Sequence, residues 1–404
     1  MPRQWPLAAA LLLVMLAIVW IDGSRPAAFP DIVAVRCAGE ALNAGLDPYT
    51  SVRAICGPQT LDFFYPPVVA RLAAVTVAWW GAPAWMAVFK VAYAASFAIL
   101  IGVAVHLLTR AQRGAAAPLA AIALIFAFGG GVAVTGFQSG NVAVLFWAAL
   151  AVAVFELRSA RACALVILLG GCIKIYLLYL LVIPVLMRRD LRLALLAGGV
   201  AVLAYVTQWY FEPALFASYG HEVRELSHTP GYAGASSMQL GVWVAALTGI
   251  PAMRLIVAAV VAGLLLWRSS HLVKLLLRGG DHDDTARLRL LILLLLALAV
   301  LSPRVTHYDL LILLPVVALL ITLRTQRIAL IVGCIAIPWL CRVVLLAARF
   351  DPLKSSLQAK YGLDYNTLWE LYLFATWAAV TGYAWYALGR NSVDAMVTVR
   401  PGVA

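Results

Sequence analysis

The chain has 404 residues, of which 64% are hydrophobic and only 12% are charged. Soluble domains are about 45–50% apolar and about 25% charged, so one aqueous core cannot absorb this surface and an integral polytopic membrane protein is expected. The net charge of +12 does not imply nucleic acid, because the arginines and lysines fall in short clusters between apolar runs and form no single basic patch.

Apolar segments are predicted in chain order at 5–21, 64–80, 84–108, 118–135, 141–157, 162–173, 175–187, 191–209, 239–267, 288–302, 308–323, 326–346 and 367–388. The fold class is therefore all-α, a transmembrane helical protein of about 12 crossings and a single integral membrane domain over residues 1–404. The first segment follows Arg3, and Trp20-Ile21-Asp22-Gly23 offers no small-residue cleavage site, so an uncleaved helix is expected there. The segments at 162–173 and 175–187 are short and flank Lys174, a residue that would be costly at mid-bilayer. An outer apex between two short helices relieves that cost.

The basic clusters orient the chain. With Arg110/Arg113, Arg158/Arg161, Arg188/Arg189, residues 268–289, Arg324/Arg327 and Arg390 in the cytoplasm, one alternation fits everything from residue 110 onward. It puts Gln138 to Asn141, Lys174, the 210–238 loop, Pro303 to His307 and the 347–366 loop outside, along with the loop at about 22–63. Two full crossings at 64–80 and 84–108 would invert Arg110, so one of them is expected to be interfacial or re-entrant, and Arg71 singles out the first.

The outer loop at 22–63 concentrates polar residues in an otherwise apolar chain. Asp31, in Phe29-Pro30-Asp31-Ile32, is a candidate general base whose apolar neighbours would raise its basicity, with a helix N-cap as the plain alternative. Gly45-Leu46-Asp47-Pro48-Tyr49 is a turn by composition, and Phe64-Tyr65-Pro66-Pro67 opens a helix or re-entrant segment. Gly136-Phe137-Gln138-Ser139-Gly140-Asn141 is a tight connection whose amides, Gln138 and Asn141, suit sugar hydroxyls. Lys174 and Arg304 are outer-edge cations suited to a lipid-linked phosphate or to headgroups, and His307 stands in a polar break before a late helix. Cys37 and Cys56 share the outer loop, where an oxidising compartment would allow a disulfide. His282, among Asp281, Asp283 and Asp284, lacks metal-ligand spacing, so no metal and no cofactor is expected.

In order along the chain, Asp31, Gly45 to Tyr49, Phe64 to Pro67, Gly140-Asn141, Ile173-Lys174-Ile175-Tyr176, Ser236-Ser237 and Ser302-Pro303 leading to His307 resemble glycosyltransferase family 87. These are polyprenol-phosphate-mannose-dependent mannosyltransferases of the GT-C superfamily. The resemblance spans about residues 29–310; here Gln138 precedes the Gly140-Asn141 pair, and Ile175 follows the lysine. It implies a sugar, by analogy mannose, carried on a polyprenyl phosphate and transferred on the extracytoplasmic side of the cell membrane to a lipid or glycan acceptor. Asp31 and His307 would be catalytic; Asp47, Tyr49, Tyr65, Gln138, Asn141, Lys174 and Arg304 would bind substrate. Expected partners are the polyprenyl-phosphate sugar donor, the acceptor and membrane lipids. The rival class is a transporter or flippase of a lipid-linked sugar, which would favour internal repeats, and none is visible.

Overall fold

The computed structural model describes residues 29–110, 139–188, 191–228, 237–278 and 308–323, with the isolated positions Leu13, Ala17, Ala375 and Ala378. Every element among the described residues is helical and no strand occurs among them, so the chain is all-α. The residues divide into two compact units, Met1–Val103 with Phe126–Thr229, and Ala104–Ile125 with Pro230–Ala404. The apolar segments expected at 118–135, 288–302, 326–346 and 367–388, and nearly all of 5–21, lie outside the described residues.

In the first unit, the polar segment is mostly helix rather than loop. Helix α1 is Pro30–Asn43 and helix α2 is Pro48–Cys56, each with a proline in its first turn, where a missing N–H costs nothing. A reversal at Ala44–Leu46 joins them, closed by Leu46 N–H donating to Ala41 O at 2.9 Å. The Cys37–Cys56 disulfide ties the two helices together. It closes a loop of 19 residues, a constraint of about 3 kcal/mol in the chain-entropy picture.

Helix α3, Pro67–Arg110, is two helices joined at Gly81 (φ 74°, ψ 154°), a region of backbone space open essentially to glycine alone. The arms fold against each other: Trp85 Nε1 donates to Thr76 Oγ1 at 2.9 Å, although nine residues of straight helix would separate the two by about 13 Å. The first arm, 67–80, is only about 21 Å long, short of the ~30 Å hydrocarbon core. Arg71 in this arm pairs with Glu212 at 2.5 Å.

The unit continues with α4 (Ala143–Ala151), a π turn (Val152–Glu156), α5 (Ala160–Ile173), a 3-10 helix (Ile175–Leu181), α6 (Val182–Arg188), α7 (Leu191–Phe211) and α8 (Pro213–His228). Lys174 is extended (φ −139°, ψ 97°) and breaks the chain between two short helices, as its charge predicts. Helix α8 occupies most of the expected 210–238 loop and packs on α2. That correction has a plain cause: Pro213 supplies the N-terminal start, and Phe216 and Tyr219 on one face meet aromatic partners.

In the second unit, α9 (Ser237–Thr248) and α10 (Met253–Arg278) pack on each other, and a 3-10 turn (Asp309–Ile312) leads into α11 (Leu313–Leu323). The single segment expected at 239–267 is therefore two helices, broken where Gly249 (φ 70°) precedes Ile250-Pro251. Two described stretches, Pro67–Leu107 and Leu191–Phe211, are long and apolar enough to cross a membrane.

Candidate functional site

The site is built where α1 begins. Phe29 occupies the cap position in the left-handed region (φ 68°, ψ 40°) and gives no side-chain cap bond. Pro30 starts the helix and Asp31 sits in its first turn, where a carboxylate favours the helix dipole. Asp31 is thus not an N-cap. A non-glycine residue in the left-handed region needs support from its surroundings. Gly140 (φ 64°) provides part of it: a Cβ there would stand 2.8 Å from the Phe29 Cα, so only glycine admits this approach. The Phe29 ring is also met edge-on by Tyr93, centroids 6.0 Å apart.

That approach brings the next residue, Asn141, to Asp31. Asn141 Nδ2 donates to Asp31 Oδ2 at 2.5 Å. The other end of the amide, Oδ1, accepts from Lys174 Nζ at 2.7 Å and from the Ala143 backbone N–H at 3.0 Å. These partners fix which way the amide faces, since Lys174 can only donate and ionised Asp31 can only accept. Asn141 and Lys174 are buried, 4% and 8% exposed. A carboxylate, an amide and an ammonium thus form one line across three elements far apart in sequence. Such a line can take up a proton at one end and hold an anion at the other.

An apolar cavity of about 520 Å³ lies in the same unit, lined by sequence neighbours of this line and not by its three members. Its walls include Val35, one turn past Asp31, Val142 beside Asn141 and Ile173 beside Lys174, with Trp85, Phe89 and Phe146 farther in. Tyr65 and Tyr176 flank the ammonium, their ring centres 5.7 Å and 6.0 Å from Lys174 Nζ.

Asp47 and Tyr49 stand apart from the line and are occupied in architecture. Asp47 caps α2 through Oδ1, accepting from Tyr49 N–H at 2.9 Å, and its Oδ2 accepts from Ser218 Oγ of α8 at 2.7 Å. Tyr49 Oη donates to the Tyr65 carbonyl at 2.8 Å, which fixes the strand of chain that leads into α3. Burial, with Tyr219 and Asp47 adding repulsion, pushes the Tyr49 phenol well above its ordinary value, so it serves as a donor and not as a phenolate.

Of the residues expected at a site, Asp31, Asn141, Lys174 and Tyr65 are brought together, and Tyr49 and Asp47 join them through the Tyr65 backbone. Gln138, Arg304 and His307 lie outside the described residues, as does Ser236. Sequence reasoning passed over Lys90, whose Nζ lies 5.5 Å from the Phe29 ring centre. The available signal was a lone lysine in the apolar run 84–108. It also passed over Asp309, a carboxylate 4% exposed at the head of the 3-10 turn in the second unit. No protein-family model matches the chain, and no curated protein matches it.

Proposed function

We propose that the protein is a multi-pass membrane glycosyltransferase that moves a sugar, by its resemblance mannose, from a polyprenyl-phosphate donor to a lipid or glycan acceptor on the outer face. The observation that carries this reading is the polar line Asp31–Asn141–Lys174 in the same unit as an apolar cavity whose walls include Val142 and Ile173, the chain neighbours of Asn141 and Lys174. A substrate with a charged head and a long hydrocarbon chain matches both halves. The Cys37–Cys56 bond, on the helix that bears Asp31, suits an oxidising outer compartment.

In this reading the Asp31 carboxylate takes the proton of the acceptor hydroxyl. The acceptor oxygen forms a bond to the anomeric carbon as the bond from that carbon to the phosphate oxygen breaks, with inversion. The electron pair leaves on the polyprenyl phosphate, whose growing charge Lys174, and with it His307 and Arg304, would stabilise. Asn141 holds Asp31 and Lys174 in register, Gln138 would complete the amide pair, and Tyr65 walls the ammonium. Asp47 and Tyr49 support that wall. About 12 crossings with both termini inside complete the proposal.

The test incubates purified protein with polyprenyl-phosphate sugars and membrane lipids and follows products by mass spectrometry. A glycosylated lipid or glycan is expected. Net movement of intact donor across a vesicle bilayer, with no product, would instead establish the flippase reading. Impermeant labelling of cysteines placed in 22–63 and at residue 307 must come from the same face; labelling from opposite faces ends the shared site.

A further inference from the structure

Lys90 is a charge of the first unit that no acidic side chain answers among the described residues. It belongs to the second arm of α3, within an apolar stretch, Pro67–Leu107, long enough to cross a membrane. A cation in such a helix is costly and marks function unless something answers it. Arg71, the other cation of this helix within the first unit, is answered by Glu212. Lys90 is half-buried and makes no salt bridge or hydrogen bond among the described residues; its contact is the face of the Phe29 ring at 5.5 Å. Lysine carries three donors, and an aromatic face satisfies none of them in the manner of an acceptor oxygen.

The ring on which Lys90 rests is not a random one. Phe29 precedes Pro30-Asp31, is held in the left-handed region, and is pressed against Gly140, the neighbour of Asn141. Lys174 meets the same junction through the Asn141 amide. Two lysines, Lys90 of α3 and Lys174 between α5 and the 3-10 helix, thus meet the junction of Phe29–Asp31 with Gly140–Asn141. The chemistry of the proposed transfer has use for both. The donor phosphate is a diester with one negative charge; when the anomeric carbon leaves it becomes a monoester of about −1.5 to −2 charge. One ammonium matches the donor, and a second is required to match the product.

We propose that Lys90 is the second cation for the phosphate of the lipid-linked donor. This rests on the proposed function and adds a residue to its site. The experiment measures binding of polyprenyl phosphate, without sugar, to the full-length wild-type protein and to Lys90→Met and Lys90→Arg, and donor kinetics on the same samples. Methionine keeps the length and apolar stem, so the fold is retained, and Arg keeps the charge. Expected are wild-type binding, at least about tenfold weaker binding and a raised donor KM for Lys90→Met, and near-complete rescue by Lys90→Arg. Equal binding by Lys90→Met and wild type overturns the assignment, and so does absence of wild-type binding. In a competition arm, vesicles of phosphatidylglycerol that displace polyprenyl phosphate as well as unlabelled polyprenyl phosphate does would make Lys90 a headgroup anchor and overturn it too. A wild type that binds polyprenyl phosphate in a Lys90-dependent way but transfers no sugar refutes the transferase reading alone.

Discussion

Asp31 and Asp47 come from one polar segment and stand 16 residues apart, yet the fold uses them in opposite ways. Both oxygens of Asp47 meet neutral donors, a backbone N–H at the start of α2 and the Ser218 hydroxyl. Asp31, in the first turn of α1, is joined through an amide to a buried ammonium in the same unit as an apolar cavity. The lesson is that residue type and local motif do not separate a structural acid from one proposed to carry chemistry. What separates them is whether the carboxylate closes a local hydrogen-bond pattern or reaches, through an amide, a charge from a distant part of the chain.

The comparison breaks most sharply at Asp31. Asp31→Asn keeps the shape and a hydrogen bond to Asn141 but removes the basic oxygen, so turnover is expected to fall about 10²–10⁴-fold while polyprenyl-phosphate binding is kept. Near-normal turnover in a single-turnover assay would move Asp31 into the same class as Asp47. Lys174→Ala leaves the Asn141 carbonyl oxygen short of a charged donor, and donor use should weaken by about 10–100-fold, in KM or kcat for the donor. If only the acceptor parameters change, the ammonium does not face the phosphate.

On the architectural side, Cys37→Ser with Cys56→Ser should lower stability by about 2–4 kcal/mol. The result is read from thermal unfolding with and without reductant. An unchanged melting temperature, together with one insensitive to reductant in the wild type, would mean that the bond does not hold α1 to α2. Asp47→Ala removes an N-cap and the Ser218 bond and should cost about 0.5–2 kcal/mol of stability, while turnover per folded molecule stays within a few-fold of wild type. A loss of turnover comparable to that of Asp31→Asn would erase the distinction between the two acids.

The smallest effect is expected on α8, near Ser218. Burial first, and repulsion from Asp62 next, raise the Glu222 carboxyl above its ordinary value, with His221 opposing. In the window between its unfolded and folded values the folded state binds more protons, so this group favours the fold at lower pH and the benefit fades as pH rises through the folded value. Glu222→Gln should flatten that slope slightly and raise the melting temperature a little at neutral pH; a steeper slope in the variant would contradict the sign.

How much of this was legible in the sequence follows from the physics at each place. The all-α class was legible because long apolar runs admit little else. The break at Lys174 was legible because a lone ammonium between two short apolar runs has few places to go. The helical pair inside 22–63 was not, although Asp47-Pro48 is both a turn signal and a helix start, since caps and turns use the same residue types. The break at Gly249–Pro251 was hidden by hydropathy, which registers burial and not direction. The partnership of Asp31 with Asn141 joins residues 110 apart, so no local pattern reports it. The alternation of basic clusters and the ordered resemblance placed both on one face and in one list, without their contact. Lys90 was missed because a single charge does little to the average of an apolar window.

The left-handed Phe29 carries a consequence for biogenesis. The residue that accommodates its backbone, Gly140, lies about 110 positions later in the chain. At translation rates of roughly 5–20 residues per second, α1 waits about 5–20 s for the turn that locks its first residue. During that interval the helix that bears Asp31 has a start but no fixed entry angle. Asp31, the proposed proton acceptor, is therefore fixed only after the connection preceding α4 has been made, and a nascent chain arrested before residue 140 should expose Phe29 and Asp31 to solvent probes.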